Sequence, residues 1–268
     1  MIRPLGTAKF LLAWLNPWMP AFTAIAQPSQ LRFKVSQRDV LGRHISKYGH
    51  HEPRLTAWIK AYLDRSPRGI VIDVGANIGW HALHAARCPA VEYVVAFEPD
   101  AFNAWLLDQS LTLNAIDNVI VQASAAGDRN GVARLHRYKS SNNGRHSLIQ
   151  ISKSNTRAVP VMTIDSVLDA MKLSDRDILL IKIDVEGYEP AAIAGATQAL
   201  ARTSVLVTEF SPKLSREGGL SVSDMVSHLT TSGFYPHELS ADGHLIAIDA
   251  ATLAKFEGQT DLIWLRRA

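Results

Sequence analysis

The chain has one cysteine, Cys88, in 268 residues. A lone thiol excludes an internal disulfide framework and any cysteine-ligated metal site. It lies between a predicted helix and Pro89, so packing accounts for it better than reactivity. Charge is equally sparse in blocks: 28 Lys and Arg against 25 Asp and Glu give a net charge of +3, spread along the chain. No basic patch interleaved with aromatics is present, so no nucleic-acid partner is expected. No internal repeat or low-complexity tract is present either. The uncharged run from Phe10 to Ala26 is broken by Pro17 and Pro20. It is shorter than the roughly 20 residues a spanning helix needs. What remains is ordinary globular composition, 47% hydrophobic and 20% charged, enough for one large core or one domain with an extension.

That apolar run leaves three readings open. It is a helix packed on the domain, an interfacial membrane contact through Trp14 and Trp18, or a signal peptide. Arg3 and Lys9 before it and Ala24-Ile25-Ala26 at its end favour the last; the two prolines oppose it. The expected division is an apolar extension over 1–35 and one domain over 36–268. A cytoplasmic location, with peripheral membrane contact through the N-terminus, follows if the cofactor reading below holds.

The informative stretch is Ile70-Val71-Ile72-Asp73-Val74-Gly75-Ala76-Asn77-Ile78-Gly79. A short β-branched run ended by Gly reads as a buried strand of a parallel sheet. Trp80 to Arg87 then reads as a helix. Strand, tight turn and helix in that order form a site suited to a nucleotide-like ligand. The turn is G-x-N-x-G, not the G-x-G-x-x-G of dinucleotide sites. Asn at its centre tolerates left-handed geometry. The next strand, Val94 to Glu98, ends in an acid where a ribose diol is held by charge-assisted hydrogen bonds. Glu98 alone does not choose between NAD and S-adenosylmethionine.

The rest of the chain continues the alternation. Leu31 to Val35 reads as a strand followed by loop to Glu52, and Pro53 opens a helix with Leu55, Trp58, Ile59, Tyr62 and Leu63 on one stripe. The His50-His51 pair lacks a carboxylate or third His at ligand spacing, so no metal is expected. A helix over 100–115 and a strand at Val119 to Gln122 follow. Val132 to Tyr138 alternates as a half-exposed strand. The polar segment 140–147 reads as a lid or substrate loop. Strands at Val159 to Thr163, Asp177 to Asp184 and Ser204 to Phe210 enclose helices at 164–171 and from Glu189 to about Arg202. Helix 221–232 and strands at Phe234, His244 and Leu262 close the chain. The pattern predicts an α/β sandwich whose last strand can run antiparallel.

Asp73-x-Gly75-x-Asn77-x-Gly79, Phe97-Glu98-Pro99, Thr163-Ile164-Asp165 and Ile181-Lys182-Ile183-Asp184-Val185-Glu186-Gly187-x-Glu189, with Gly49-x-x-Glu52-Pro53 upstream, resemble the FkbM family of S-adenosylmethionine-dependent methyltransferases. The resemblance covers about residues 38 to 212. Trp80-His81 departs from the smaller or Tyr-containing pair more usual there. The resemblance implies a Rossmann-like class I methyltransferase fold: a three-layer α/β sandwich, its seven-stranded, mostly parallel sheet ending in an antiparallel strand. It implies S-adenosyl-L-methionine as donor and a hydroxyl acceptor on a small molecule, glycan, glycolipid or polyketide. Position by position, Gly75, Asn77 and Gly79 would line the methionine and ribose portion, with Asp73 ordering the turn or meeting the ammonium. Glu98 would take the ribose hydroxyls, and Phe97 and Pro99 would flank the adenine. Asp184 and Glu186 would face the transfer region, and Glu52 would contact donor or acceptor if its loop folds over.

Methyl transfer from a sulfonium is an in-line displacement in which alignment supplies much of the acceleration. A hydroxyl acceptor calls for a general base. Asp184 is the first candidate, with binding of the ammonium or helix capping as its plain alternative. His136 and His146 are the second candidates. Arg134, Arg137 and Arg145 raise the idea of an acidic glycan acceptor, against simple solvated charge. Two rivals stand beside the methyltransferase. A nicotinamide oxidoreductase lacks its third glycine and a Tyr-x-x-x-Lys pair here, and a non-catalytic interaction module would not need the full donor motif.

Overall fold

The computed structural model describes residues 21–36, 39–136, 146–149 and 156–267. It opens with a hairpin, β1 (Ala21–Ile25) antiparallel to β2 (Arg32–Ser36). The end of the apolar run is therefore strand, not the helix that was one reading of it. Ala24 and Ala26 of the cleavage-like triplet are buried in the core, and Phe33 stacks on Trp80 at 5.0 Å. Trp14 and Trp18, and so the membrane-contact reading, lie outside the described residues. No helix among the described residues is long and apolar enough to cross a membrane.

Two helices follow, α1 (Val40–Tyr48) and α2 (Pro53–Leu63). The sequence pattern marks no helix over the first. Asp39 caps it by accepting from the Gly42 N–H at 3.3 Å, and Gly49 ends it in the left-handed conformation. The α/β core then runs β3 (Gly69–Val74), α3 (Trp80–Ala86), β4 (Val91–Phe97), α4 (Ala101–Asn114) and β5 (Val119–Gln122). A side sheet of β6 (Ala125–Ala126), β7 (Gly131–His136) and β8 (Thr156–Met162) comes next, in the order β6-β8-β7. Beyond it are α5 (Ile164–Ala170), β9 (Ile178–Ile183), α6 (Glu189–Ala194), α7 (Thr197–Ala201) and β10 (Thr203–Phe210). The helix expected from Glu189 to Arg202 is thus two. Gly195 ends the first of them, and it passes so close to Gly127 that a Cβ there would fall 1.9 Å from the Gly127 carbonyl oxygen. The chain closes with α8 (Pro212–Glu217), α9 (Val222–Thr231), β11 (Phe234–Leu239), β12 (Leu245–Ala247), α10 (Ala250–Ala254) and β13 (Thr260–Arg266).

The central sheet has the order β12-β11-β13-β10-β9-β3-β4-β5. The five strands from β10 to β5 are parallel, and β13 enters antiparallel to β10, as expected of the last strand. The sheet has eight strands rather than seven, because the short β12 pairs with the outer edge of β11.

Period-2 alternation sorts the strand side chains into two apolar layers. Ile70, Ile72, Val74, Ile181, Ile183 and Leu206 pack with α5, α6, α7 and α9. Val71, Leu180, Val205, Val207 and Ile263 face the other layer, with the hairpin, α2, α3 and α4. By the same alternation Asp73 and Lys182, partners in the β3–β9 register, belong to this second face, as do Glu209 and Asp261, paired across β10 and β13. Two charged pairs thus lie on this face, Asp73–Lys182 across β3 and β9 and, two residues further along β10, Glu209–Asp261.

Candidate active site

The carboxyl ends of β3, β4 and β9 meet, because these strands are neighbours in the order β9-β3-β4. The turn after β3 holds three left-handed residues in five: Gly75 at φ +81°, Asn77 at φ +52° and Gly79 at φ +87°. Gly75 is required twice over, since a Cβ there would lie 1.9 Å from the Asp184 carbonyl oxygen. The turn is tied to β4: the Gly75 and Ala76 N–H groups donate to the Phe97 carbonyl at 3.0 and 2.9 Å. It is tied to β9 as well, where the Asp184 N–H donates to the Val74 carbonyl at 3.0 Å.

Glu98 accepts the Asn77 N–H on Oε2 and the Asp100 N–H on Oε1, each at 2.8 Å. Burial pushes its carboxyl up to about 8, against these two bonds. Asp100 turns the chain into α4 by accepting from the Phe102 and Asn103 N–H groups. Asp73 is 2% exposed, and neither of its carboxylate oxygens has a hydrogen-bond partner. Burial raises its pKa, opposed by the charges of Lys182 and His81, and the Ala82 N–H acts on it weakly. Asn77 Oδ1 is also buried without a partner.

A cleft opens at this junction, where the strand ends and the turns after them meet. Six of the residues expected at the donor line it: Gly75, Asn77, Phe97, Glu98, Pro99 and Asp184. Its far wall is Ser124, Ala125, His146, Ser147, Leu148 and Tyr188. Ser147 holds that wall: its Oγ donates to the Glu186 carbonyl at 2.9 Å, and its backbone pairs with His136.

The other expected residues stand off the cavity wall. Asp73 lies on β3 just before the turn. Gly79 caps α3, and a Cβ there would sit 2.2 Å from Leu107 Cδ1, so close helix packing explains this glycine. Glu186, left-handed at φ +51°, lies in the buried turn after β9, which Glu189 stabilises by accepting the Val185 and Gly187 N–H groups. His136 pairs through its backbone, and its ring does not line the cavity. Of the two histidine candidates, His146 alone reaches the wall. Glu52 is held away by His81 Nε2 at 2.8 Å and His51 Nε2 at 3.3 Å. Burial would raise its pKa, but these bonds outweigh burial and hold it well below the carboxylate range. Glu52 borders a second cleft with Arg54, Glu238, Thr260 and Asp261. Of the three arginines considered for an acidic acceptor, Arg137 and Arg145 lie outside the described residues. The expected lid loop lies mostly outside them as well.

Sequence reasoning gave no role to Lys182. Its ammonium, on a side chain 5% exposed, donates to Asp184 Oδ2 at 2.9 Å. Burial lowers its pKa, but Asp184, Asp73 and Glu52 together outweigh burial and raise it. Tyr188 on the far wall also went unassigned, since nothing local marks a residue that reaches a cavity only through the fold. Glu209 lies on the same face: burial and the charges of Asp184, Glu186 and Glu189 push it up to about 10. Among the described residues no group of His, Cys, Asp and Glu can hold a metal ion.

Among curated proteins no sequence matches this chain. Solved structures similar to it include a precorrin-6y C5,15-methyltransferase of Geobacter metallireducens (12% identity, 80% of this chain and 88% of that one, TM-score 0.44). An rRNA methylase of Streptococcus thermophilus is also similar (10% identity, 78% and 95%, TM-score 0.43). A SAM-dependent O-methyltransferase of Thermotoga maritima is a third (12% identity, 82% and 67%, TM-score 0.41). The methyltransferase FkbM domain matches residues 73–240, from the Asp73 strand end through the whole donor junction and beyond β11. The chain therefore belongs to the FkbM methyltransferase family, and its methyl donor is S-adenosyl-L-methionine.

Proposed function

We propose that this methyltransferase acts on oxygen, transferring the methyl group to a hydroxyl of a small glycan, glycolipid or polyketide-type acceptor, with Asp184 as general base. The donor-side residues fit S-adenosylmethionine by their own chemistry. At the end of β3 and the turn after it, both Asp73 oxygens and Asn77 Oδ1 are buried acceptors without a hydrogen-bond partner. The donor brings an ammonium and two ribose hydroxyls. A carboxylate has about four lone-pair positions. Glu98 uses two for backbone N–H groups and one for the Asn103 side chain, which leaves one for a ribose hydroxyl. Gly75 without a Cβ lets the backbone approach the ligand closely, while Phe97 and Pro99 would border the adenine. When bound, the donor supplies an already activated methyl group on a sulfonium.

The observation that carries the oxygen reading is the Asp184 carboxylate. It is partly exposed, lines the donor cavity, and has one oxygen held by Lys182. Its other oxygen can receive the proton that a hydroxyl sheds as it attacks. His146 on the far wall is the second group able to take it. The test is turnover of purified protein with labelled donor across hydroxylated glycans, lipids and polyketides, comparing wild type with Asp184→Asn and His146→Ala. We expect Asp184→Asn to lower kcat about 10²- to 10⁴-fold, the usual worth of a general base, with donor binding retained. Full turnover by Asp184→Asn would remove Asp184 as base, and methylation confined to amine acceptors would remove the oxygen reading.

A further inference from the structure

Lys182 is a buried cation that the methyl-transfer chemistry does not itself require. It sits one residue from the carboxyl end of β9, in a run that is otherwise Ile and Leu. A lysine in such a position persists only when its charge is matched. Its matches come from three separate elements: Asp184 at the end of its own strand, Asp73 opposite it on β3, and Glu52 at the start of α2. Asp184 lines the donor cavity, and Asp73 carries two acceptor atoms with no protein partner.

We propose that Lys182 is a positioning residue of the donor site: its ammonium holds Asp184 at the cavity wall and balances the negative charge shared by Asp184, Asp73 and Glu52. The pocket then presents ionised, oriented carboxylates to a ligand that is itself cationic. Without the ammonium, Asp73 and Asp184 would be like charges on adjacent strand ends, and such a pair retains a proton. A protonated pocket would bind the donor's ammonium less well.

The other ionisable groups facing this cluster set its background. His81 of α3 acts on Asp73 and bonds Glu52, and His51 bonds Glu52 as well. Asp261 of β13 lies within electrostatic reach of Glu52, Lys182 and Asp184. Glu209 of β10 faces Asp184, Glu186 and Glu189. Apart from the two histidines these are acids, so removing Lys182 leaves an excess of negative charge that only protons can relieve.

Calorimetric titration of the full-length chain with S-adenosylhomocysteine between pH 6 and 9 tests this, and it needs no knowledge of the acceptor. The variants are Lys182→Met, which keeps the length of the side chain, and Lys182→Met/Asp184→Asn, which removes the pair together. Each Kd is compared with wild type at the same pH, so that ionisation of the ligand cancels. Lys182→Met is expected to bind about tenfold more weakly at pH 6.5, the low end of what a lost hydrogen bond to a charged group costs, and to regain affinity towards pH 9. The double variant, with Asp73 relieved of its neighbour, should show no pH dependence relative to wild type. If Lys182→Met binds like wild type at every pH, Lys182 only fills space and the proposal is wrong. Should Lys182→Met fail to fold, Lys182→Gln replaces it. A double variant as pH-dependent as Lys182→Gln would also overturn the proposal. A wild type that does not bind the ligand would instead count against the donor site as a whole.

Discussion

Glu98 combines full burial with two backbone hydrogen bonds and a pKa pushed up to about 8. Hydroxyls that donate to it favour its ionised form. Donor binding near pH 7 should therefore release a proton, seen as a binding enthalpy that varies with the ionisation enthalpy of the buffer. An enthalpy independent of buffer would mean that Glu98 does not ionise on binding. Glu98→Gln should weaken donor binding by about 1.5–3 kcal/mol, the range for hydrogen bonds to a charged group, measured by the same titration. Glu98 was legible in sequence as a candidate for the site because an acid ending a β-strand next to a glycine turn is a local pattern. Lys182 was not. A lysine in an apolar strand has no local signature of purpose, and its three carboxylates arrive from positions 52, 73 and 184 only when the strands pair.

At the scale of elements, the Gly75 turn and the β1–β2 hairpin make separate predictions. Gly75→Ala combines a φ of +81° with a Cβ 1.9 Å from the Asp184 carbonyl, so the turn or the end of β9 must move. We expect a loss of stability of about 1–3 kcal/mol, the cost of a strained backbone position, together with loss of donor binding. Denaturation and titration of the same sample would read both, and an unchanged Kd would show that the turn does not set the donor site. Phe33 of the hairpin is fully buried against Trp80. Phe33→Ala should cost about 3–5 kcal/mol in a single denaturation transition. A loss near zero would make the hairpin an appendage. The core elements β3, β4 and β9 could be read from their apolar runs, as could the β2 half of the hairpin, whereas β1 could not. A run such as Ala21–Ile25 suits helix, strand or membrane equally, and pairing with β2 decides among them.

Across the whole molecule, several buried acids titrate in the same direction. Burial raises Glu98 and Glu189 to about 8 and Glu209 to about 10. A raised carboxyl binds its proton more tightly when folded, so its stabilisation is complete below the unfolded pKa, near 4.5, and is lost as pH rises through the folded value. His84 acts oppositely: burial lowers it to about 4, so its share is lost as pH falls below about 6.5 towards 4. The three acids outnumber the histidine, so the donor-free protein should have its highest Tm at about pH 4.5, near the unfolded carboxyl value, and lose stability steadily towards pH 9. Saturating donor should flatten the alkaline side, since bound Glu98 is already ionised. Melting curves at each pH with and without donor would check this, and a Tm constant from pH 6 to 9 would contradict it.

Local order determined which segments are strands, where the glycine turn falls, and which acids end strands, because alternation, β-branching and glycine conformation act within a few residues. These features sufficed for the family and its donor. Only the tertiary structure decided the eighth strand, the break between α6 and α7, and the His146–Leu148 wall. It alone withdrew Glu52 to the histidines and seated Lys182 among the acids. Those outcomes rest on contacts between residues dozens of positions apart, which exist only once the sheet has brought its strand ends together.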